Sequence, residues 1–242
     1  MKNKVINKMK NFSVWADLLY SLFAIIVAFI IGAILIKISG YSVKTAYTTL
    51  FNGAFGSTYN FTQTLVKTIP LIFTGLAVAI GFQSGLLNIG VEGQLYWGAF
   101  VTTIIILVFP TLPALLLIPL GIIAGALAGG FWAAVPGYLK AKTGAHEVVT
   151  TIMFNYIATL GTTFLVTNYF KEAGPVDQTK KIVEKARLSE LMTNTDLTWA
   201  IFVAIATVIV ISYLLNKTSL GYDIKAVGKN ASAAEYGGID SN

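Results

Sequence analysis

An all-α fold, a polytopic transmembrane helix bundle, is what this sequence predicts, and three observations predict it. Of 242 residues, 55% are hydrophobic and 12% charged, and the mean hydropathy is +0.73, a balance that ordinary soluble domains do not reach. Apolar runs near twenty residues recur, each able to cross a hydrocarbon core of about 30 Å as a helix rising about 1.5 Å per residue. Lysines gather in short segments between alternate runs, as expected where loops remain on the cytoplasmic side. About six spans result. With no cysteine and one histidine, a disulfide framework, a thiolate metal site and a multi-histidine metal site are excluded. The net charge of +6 does not imply a nucleic-acid partner, because in a membrane chain the placement of each lysine matters more than the sum. Membrane lipid is the expected surrounding.

Residues 1–16 read as a basic cytoplasmic tail carrying Lys2, Lys4, Lys8 and Lys10, and residues 17–215 as the bundle. The first apolar run, Leu18 to Ile38, is too long for a secretory signal and lacks a small-residue cleavage site. Ala24, Ala28 and Gly32 share one face of it and invite close approach of a partner span. Between Tyr41 and Gln63, Tyr47, Leu50, Phe51 and Ala54 fall at helical spacing, which predicts a short helix in the outer interface ending in a Gly53–Gly56 turn. Thr64 to Phe82 is the second span, kinked at Pro70, with Lys67 snorkelling outward or facing a cavity. A joint, Gln83 to Gln94, leads to the third span, Leu95 to Phe109. Pro110 and Pro113 then bracket an external turn.

The fourth span, Leu115 to Tyr138, carries Gly121, Gly125 and Gly129 as a ridge for close helix packing. A short basic turn containing Lys140, Lys142 and His146 belongs inside, with His146 read as an interfacial or capping residue. Val148 to Asn168 is the fifth span. Its Glu147, Thr151, Asn155, Thr159 and Thr162 share a sector of about 120°, a stripe that either bonds neighbouring helices or lines a watery path. Lys171 to Asp196 balances its own charges and reads as a solvated external loop, with one short amphipathic helix inside Gln178 to Met192 using Ile182, Val183, Ala186 and Leu191. Leu197 to Leu215 is the sixth span, and residues 216–242, with Lys217, Lys225 and Lys229, lie inside.

Two stretches exceed what connection requires. The joint, Gly85-Leu86-Leu87-Asn88-Ile89-Gly90-Val91-Glu92-Gly93-Gln94, combines glycines that permit non-helical backbone with polar groups that hydrocarbon cannot satisfy. It is either an ordinary cytoplasmic hairpin or a functional break between spans. The other stretch runs from Thr218 to Ile239, where Asn230 can cap a short alanine-rich helix ending at Gly237, thin enough to enter a groove on another protein.

The joint motif LLNIGVEGQ, the segment GAHEVVTTIMFNYIA (Gly144 to Ala158) and TSLGYDIKAVGKNASAAEYGGI together resemble the permease subunit of a bacterial ABC importer. The family is the one that also holds ribose and branched-chain amino acid permeases. The resemblance runs from about Thr48 to the end and is strongest to nucleoside permeases working with a lipoprotein binding protein. The Asp-Leu-Ser type sequence of the sugar branch is absent from the joint, although a simple-sugar permease remains the neighbouring alternative. The resemblance implies that residues 216–242 form the loop docking on the ATPase, with Gly221, Ala226, Gly228, Asn230, Ala234 and Gly238 on matching positions. It implies as partners a cytoplasmic ABC ATPase, a second and related permease subunit and an extracytoplasmic substrate-binding lipoprotein, in the bacterial plasma membrane. Family members continue with further spans, so a fragment or truncated reading frame is expected.

No Walker-type glycine-lysine loop is present. The chain is therefore expected to be no enzyme and to bind no cofactor, with ATP used by the partner subunit. An uncharged substrate needs hydrogen-bonding groups and aromatic surface rather than fixed counter-charges. Asn88, Gln94, Thr151 and Asn155 are the expected pathway residues. Glu92 joins them if it lies near the inner interface or is paired, because a carboxylate at membrane depth costs about 2.5–3.5 kcal/mol. From another class, a proton-coupled secondary transporter would use Glu92 or Glu147. An intramembrane hydrolase is disfavoured, since His146 has no serine at a recognisable spacing.

Overall fold

A computed structural model describes the backbone of residues 2–239 and the side chains of residues 19–239. The side chains of Lys2, Lys4, Lys8 and Lys10, and residues 240–242 of the docking loop, lie outside the described residues. The chain divides into two compact units, Met1–Phe61 and Thr62–Asn242. Among the described residues, six helices are long and apolar enough to cross a membrane.

In the first unit, α1 (Lys2–Ile38) contains the span Leu19–Ile38, and α2 (Val43–Phe55) starts at Ser42, whose hydroxyl accepts from the Thr45 N–H at 3.3 Å. Of the small residues on one face of α1, Gly32 lies against α2, whereas Ala24 and Ala28 are exposed. The Tyr47 hydroxyl lies 3.2 Å from where a Cβ on Gly32 would sit and donates to the Phe29 carbonyl. The Phe29 ring stands edge-on to Tyr47 at 5.4 Å. The predicted Gly53–Gly56 turn shortens to its end, because Gly53 remains helical and only Gly56 caps.

The second span is α3 (Thr58–Gln83), which begins six residues before the predicted Thr64 because the Ser57 hydroxyl accepts from the Asn60 N–H and starts the helix there. It contains Pro70. Further along are α4 (Val91–Val108), α5 (Ala114–Thr143) and α6 (Glu147–Leu165), the last continuing into a π-helical turn, Val166–Phe170. The glycine ridge of α5 packs on α4 with backbones in contact. A Cβ on Gly125 would fall 2.2 Å from the Thr102 hydroxyl, and one on Gly98 would fall 3.0 Å from the Gly125 carbonyl. Thr102 donates across the interface to the Gly121 carbonyl at 3.0 Å. Such close approach lets dispersion replace the hydrophobic effect, which lipid does not supply between helices.

The segment between α6 and α7 (Ala200–Lys217) contains no amphipathic helix of the predicted length. It has a single 3-10 turn, Glu184–Ala186, and two isolated antiparallel bridges, Lys171 with Thr179 and Glu190 with Thr198. Of the four expected apolar residues, Ile182, Val183 and Ala186 pack on Ile106 of α4, Leu112 of the following turn and Leu117 of α5, whereas Leu191 is not part of that cluster. A short extended run with one turn buries these side chains as well as a helix would. After α7 come α8 (Ser219–Lys229), a helix the sequence does not announce, and α9 (Ala231–Tyr236), the short alanine-rich helix that the Asn230 cap predicts.

Candidate functional site

The break between α3 and α4 is shorter than the sequence suggests, covering residues 84–90, so Glu92 and Gln94 stand in the first turn of α4. Gly85 takes φ +77°, a left-handed conformation that reverses the chain after α3. The Leu86 N–H returns to the Gly81 carbonyl at 2.9 Å. Asn88 then folds over the start of α4, its Oδ1 accepting from the Gly90 N–H at 2.9 Å and from Gln94 Nε2 at 3.3 Å.

Helix α6 holds this joint in place. Asn155 donates through Nδ2 to the Ile89 carbonyl at 2.9 Å and accepts at Oδ1 from the Gly93 N–H at 2.8 Å. The Thr151 hydroxyl accepts from the Ile89 N–H at 3.3 Å and donates to the Glu147 carbonyl at 2.7 Å. Backbone N–H groups that α4's first turn leaves without intrahelical partners are thus met partly by side chains of another helix. Gly93 is necessary to this approach. A Cβ there would meet the Asn155 Cα and the Phe154 carbonyl, both at 3.0 Å. Behind the contact, Trp132 of α5 stacks on Trp97 at 4.6 Å and donates from Nε1 to the Phe154 carbonyl at 3.2 Å.

A cavity of about 300 Å³ opens beside the joint, bounded by α3, α5 and α6, and Asn88, Gln94 and Thr151 line it. Asn155 is adjacent but commits its amide to the joint backbone, and Glu92 is exposed and does not line the cavity. The two charged lining residues lay outside the expected pathway set. Lys140 at the end of α5 and Glu147 at the start of α6 form an ion pair of 2.7 Å at the cavity wall. Only the reversal at Gly144, with φ +67°, brings them together, and no periodic signal announces it. His146 occupies the N-cap position of α6 without a capping side-chain bond. Among the described residues no group of three or more His, Cys, Asp and Glu residues is placed to hold a metal.

A second groove, of about 900 Å³, shares Leu86, Gly137 and Lys140 with the cavity wall and is closed by α8 and α9. Thr218 caps α8 by accepting from the Gly221 N–H at 3.2 Å. Gly221 fits against α7 because a Cβ there would fall 2.2 Å from the Leu214 carbonyl. At the other end of α8, Gly228 lies directly on the joint, where a Cβ would come within 2.1 Å of the Gln83 carbonyl and 2.8 Å of the Gly85 nitrogen. The Ala226 carbonyl accepts from the Asn230 N–H, and Asn230 Oδ1 accepts from the Ala233 N–H at 3.0 Å, capping α9. Ala234 is buried, Gly238 takes φ +85° to end the helix, and Tyr236, absent from the expected set, is 96% exposed.

The six membrane-length helices among the described residues, with a polar glycine-broken joint backed by a compact helical pair, define a multi-pass membrane protein. The chain belongs to the family described as branched-chain amino acid transport system / permease component, whose model matches residues 60–242. The Guanosine ABC transporter permease protein NupP of Bacillus subtilis is 39% identical over 229 residues, covering 93% of this chain and 65% of its own length. The Nucleoside ABC transporter permease protein NupB of Lactococcus lactis is 38% identical, covering 92% of this chain and 64% of its own. The Glucose ABC transporter permease protein TsgB13 of Haloferax volcanii is 31% identical, covering 89% and 59%. The chain therefore spans less than two thirds of the length of these relatives. No solved structure matches it.

Proposed function

We propose that this chain is the transmembrane permease subunit of an ATP-driven importer for nucleosides or related ribosyl compounds. The observation that carries the reading is similarity along more than nine tenths of the chain to permeases named for guanosine and nucleosides. The cavity agrees with an uncharged solute: the amides of Asn88 and Gln94 line it, and its two charges neutralise each other across 2.7 Å. Pairing of Glu147 with Lys140, and the position of Glu92 away from the cavity, favour this reading over a proton-coupled carrier. Asn88, Gln94 and Thr151 contact the solute, and Asn155 positions the joint. Helices α8 and α9 dock on a cytoplasmic ATPase that hydrolyses the ATP, beside a second permease subunit and an extracytoplasmic binding lipoprotein, in the bacterial plasma membrane. Simple-sugar import is the second reading, favoured by the similarity to a glucose permease.

Uptake of radiolabelled guanosine by cells carrying the chain with its cognate ATPase, partner permease and lipoprotein tests this. Uptake competed by other nucleosides, indifferent to glucose and lost with an ATPase unable to hydrolyse ATP is the expected result. Competition by glucose would select the sugar reading. Uptake that survives without the ATPase and collapses with the proton gradient would instead establish a secondary carrier.

A further inference from the structure

The face of α4 opposite Gln94 borders a separate groove of about 410 Å³, within the range of about 300–1,000 Å³ typical of small-molecule sites. Thr103 is nine residues beyond Gln94, which at about 100° per residue places it half a turn away. The other wall is the second half of α6 and its π-helical turn, and the loop residues Asp177 to Thr179 close one end. The groove is distinct from the joint cavity and shares no residue with it.

Its threonine wall is rich in acceptors, while the Gln178 amide and the Tyr96 hydroxyl add donors. Thr103, Thr159 and Thr163 each give their hydroxyl proton to the carbonyl one turn back, at 2.9, 3.0 and 2.8 Å. What they turn to the groove are oxygen lone pairs, so they accept and do not donate. The Asp177 carboxylate adds further acceptor capacity, and its charge is offset by Lys171. Apolar surface comes from Tyr96 and Phe100, the latter held edge-on by Phe170 at 5.8 Å. The π-helical turn contributes Val166 and Thr167 to the wall, and such local widenings of a helix occur frequently at functional sites.

We infer that this groove is a nucleoside-binding site, a second station besides the joint cavity; the inference rests on the nucleoside reading above. A ribosyl ring presents vicinal hydroxyl donors to the threonine oxygens, and a planar base finds ring surface at Tyr96 and Phe100. Lipid tails would gain nothing from these polar groups, and no Lys or Arg stands among the lining residues to hold an anionic solute.

Photolabelling tests the assignment. The full chain in lipid nanodiscs is irradiated with 8-azidoadenosine, with and without excess guanosine, and the labelled peptides are mapped. Guanosine-protected label is expected on residues 96–103 or 159–179. The double variant Thr159→Val, Thr163→Val, which conserves volume, should weaken protection by about tenfold or more, the effect of losing two hydrogen bonds. Thr159→Ser with Thr163→Ser, retaining both oxygens, should restore it. Protected label confined to residues 77–88 and 133–151 would overturn this second site while leaving the nucleoside reading intact. No guanosine-protected label anywhere would overturn both.

Discussion

Asn155 illustrates how one side chain can hold an irregular backbone inside a membrane-length bundle. Its amide meets a carbonyl and an N–H of the joint at once, groups that hydrocarbon would leave unsatisfied at a cost of several kcal/mol each. Asn155→Leu should therefore loosen the joint. We expect a lower thermal unfolding midpoint in detergent, corresponding to a loss of about 1–3 kcal/mol, together with weaker guanosine uptake. Unchanged stability with lost uptake would transfer Asn155 to direct solute contact. The sequence made the polar stripe of α6 legible because Thr151, Asn155 and Thr162 follow the helical period and cannot face lipid. It left open whether the stripe bonded or lined a path, since that depends on what stands opposite. The pairing of Lys140 with Glu147 was not legible for the same reason: Lys140 reads as a basic turn residue and Glu147 as one end of the stripe, and the turn at Gly144 brings them together.

At the level of elements, α9 was legible because capping is local: Asn230 and Gly237 lie at its two ends and declare them in the sequence. Its neighbour α8 was missed because its interior holds Gly221 and Gly228, which lower helix propensity. Both glycines are required by tertiary contact, with α7 and with the joint. The segment between α6 and α7 failed in the opposite direction, since Ile182, Val183 and Ala186 gave a helix-like spacing that an extended run satisfies equally. These contacts separate two functions within α8 and α9. Tyr236, 96% exposed, is suited to anchor a partner, exposed aromatic residues being frequent binding hot spots, whereas Gly228 is turned inward. Tyr236→Ala should abolish co-purification of the ATPase. Gly228→Ala should leave the ATPase bound while reducing uptake at least tenfold, because a methyl group cannot enter the contact with Gly85. Equal loss of ATPase binding in both variants would show that the inward contact merely shapes the docking surface.

For the molecule as a whole, the lysine distribution predicts that the amino end and Thr218 onward face the cytoplasm and that Lys171 to Asp196 face outside. The chain has no cysteine, and Gln178 and Ser232 are both exposed, so single cysteines at these positions report side directly. An impermeant thiol reagent applied to intact cells should label Gln178→Cys and miss Ser232→Cys. The reverse pattern would invert the topology. The glycine contact between α4 and α5 carries a further consequence, for the order in which the molecule is made. Only residues 109–113 separate these helices, so their pairing closes a very short loop at little entropic cost and can follow at once when α5 leaves the insertion machinery. The joint must wait longer, because its partners Thr151 and Asn155 are synthesised some 60 residues after it, and the contact with Gly228 arrives later still. During that interval the bare amides and carbonyls around Ile89 are a standing signal of incompleteness, open to chaperones and membrane proteases until α6 reaches them.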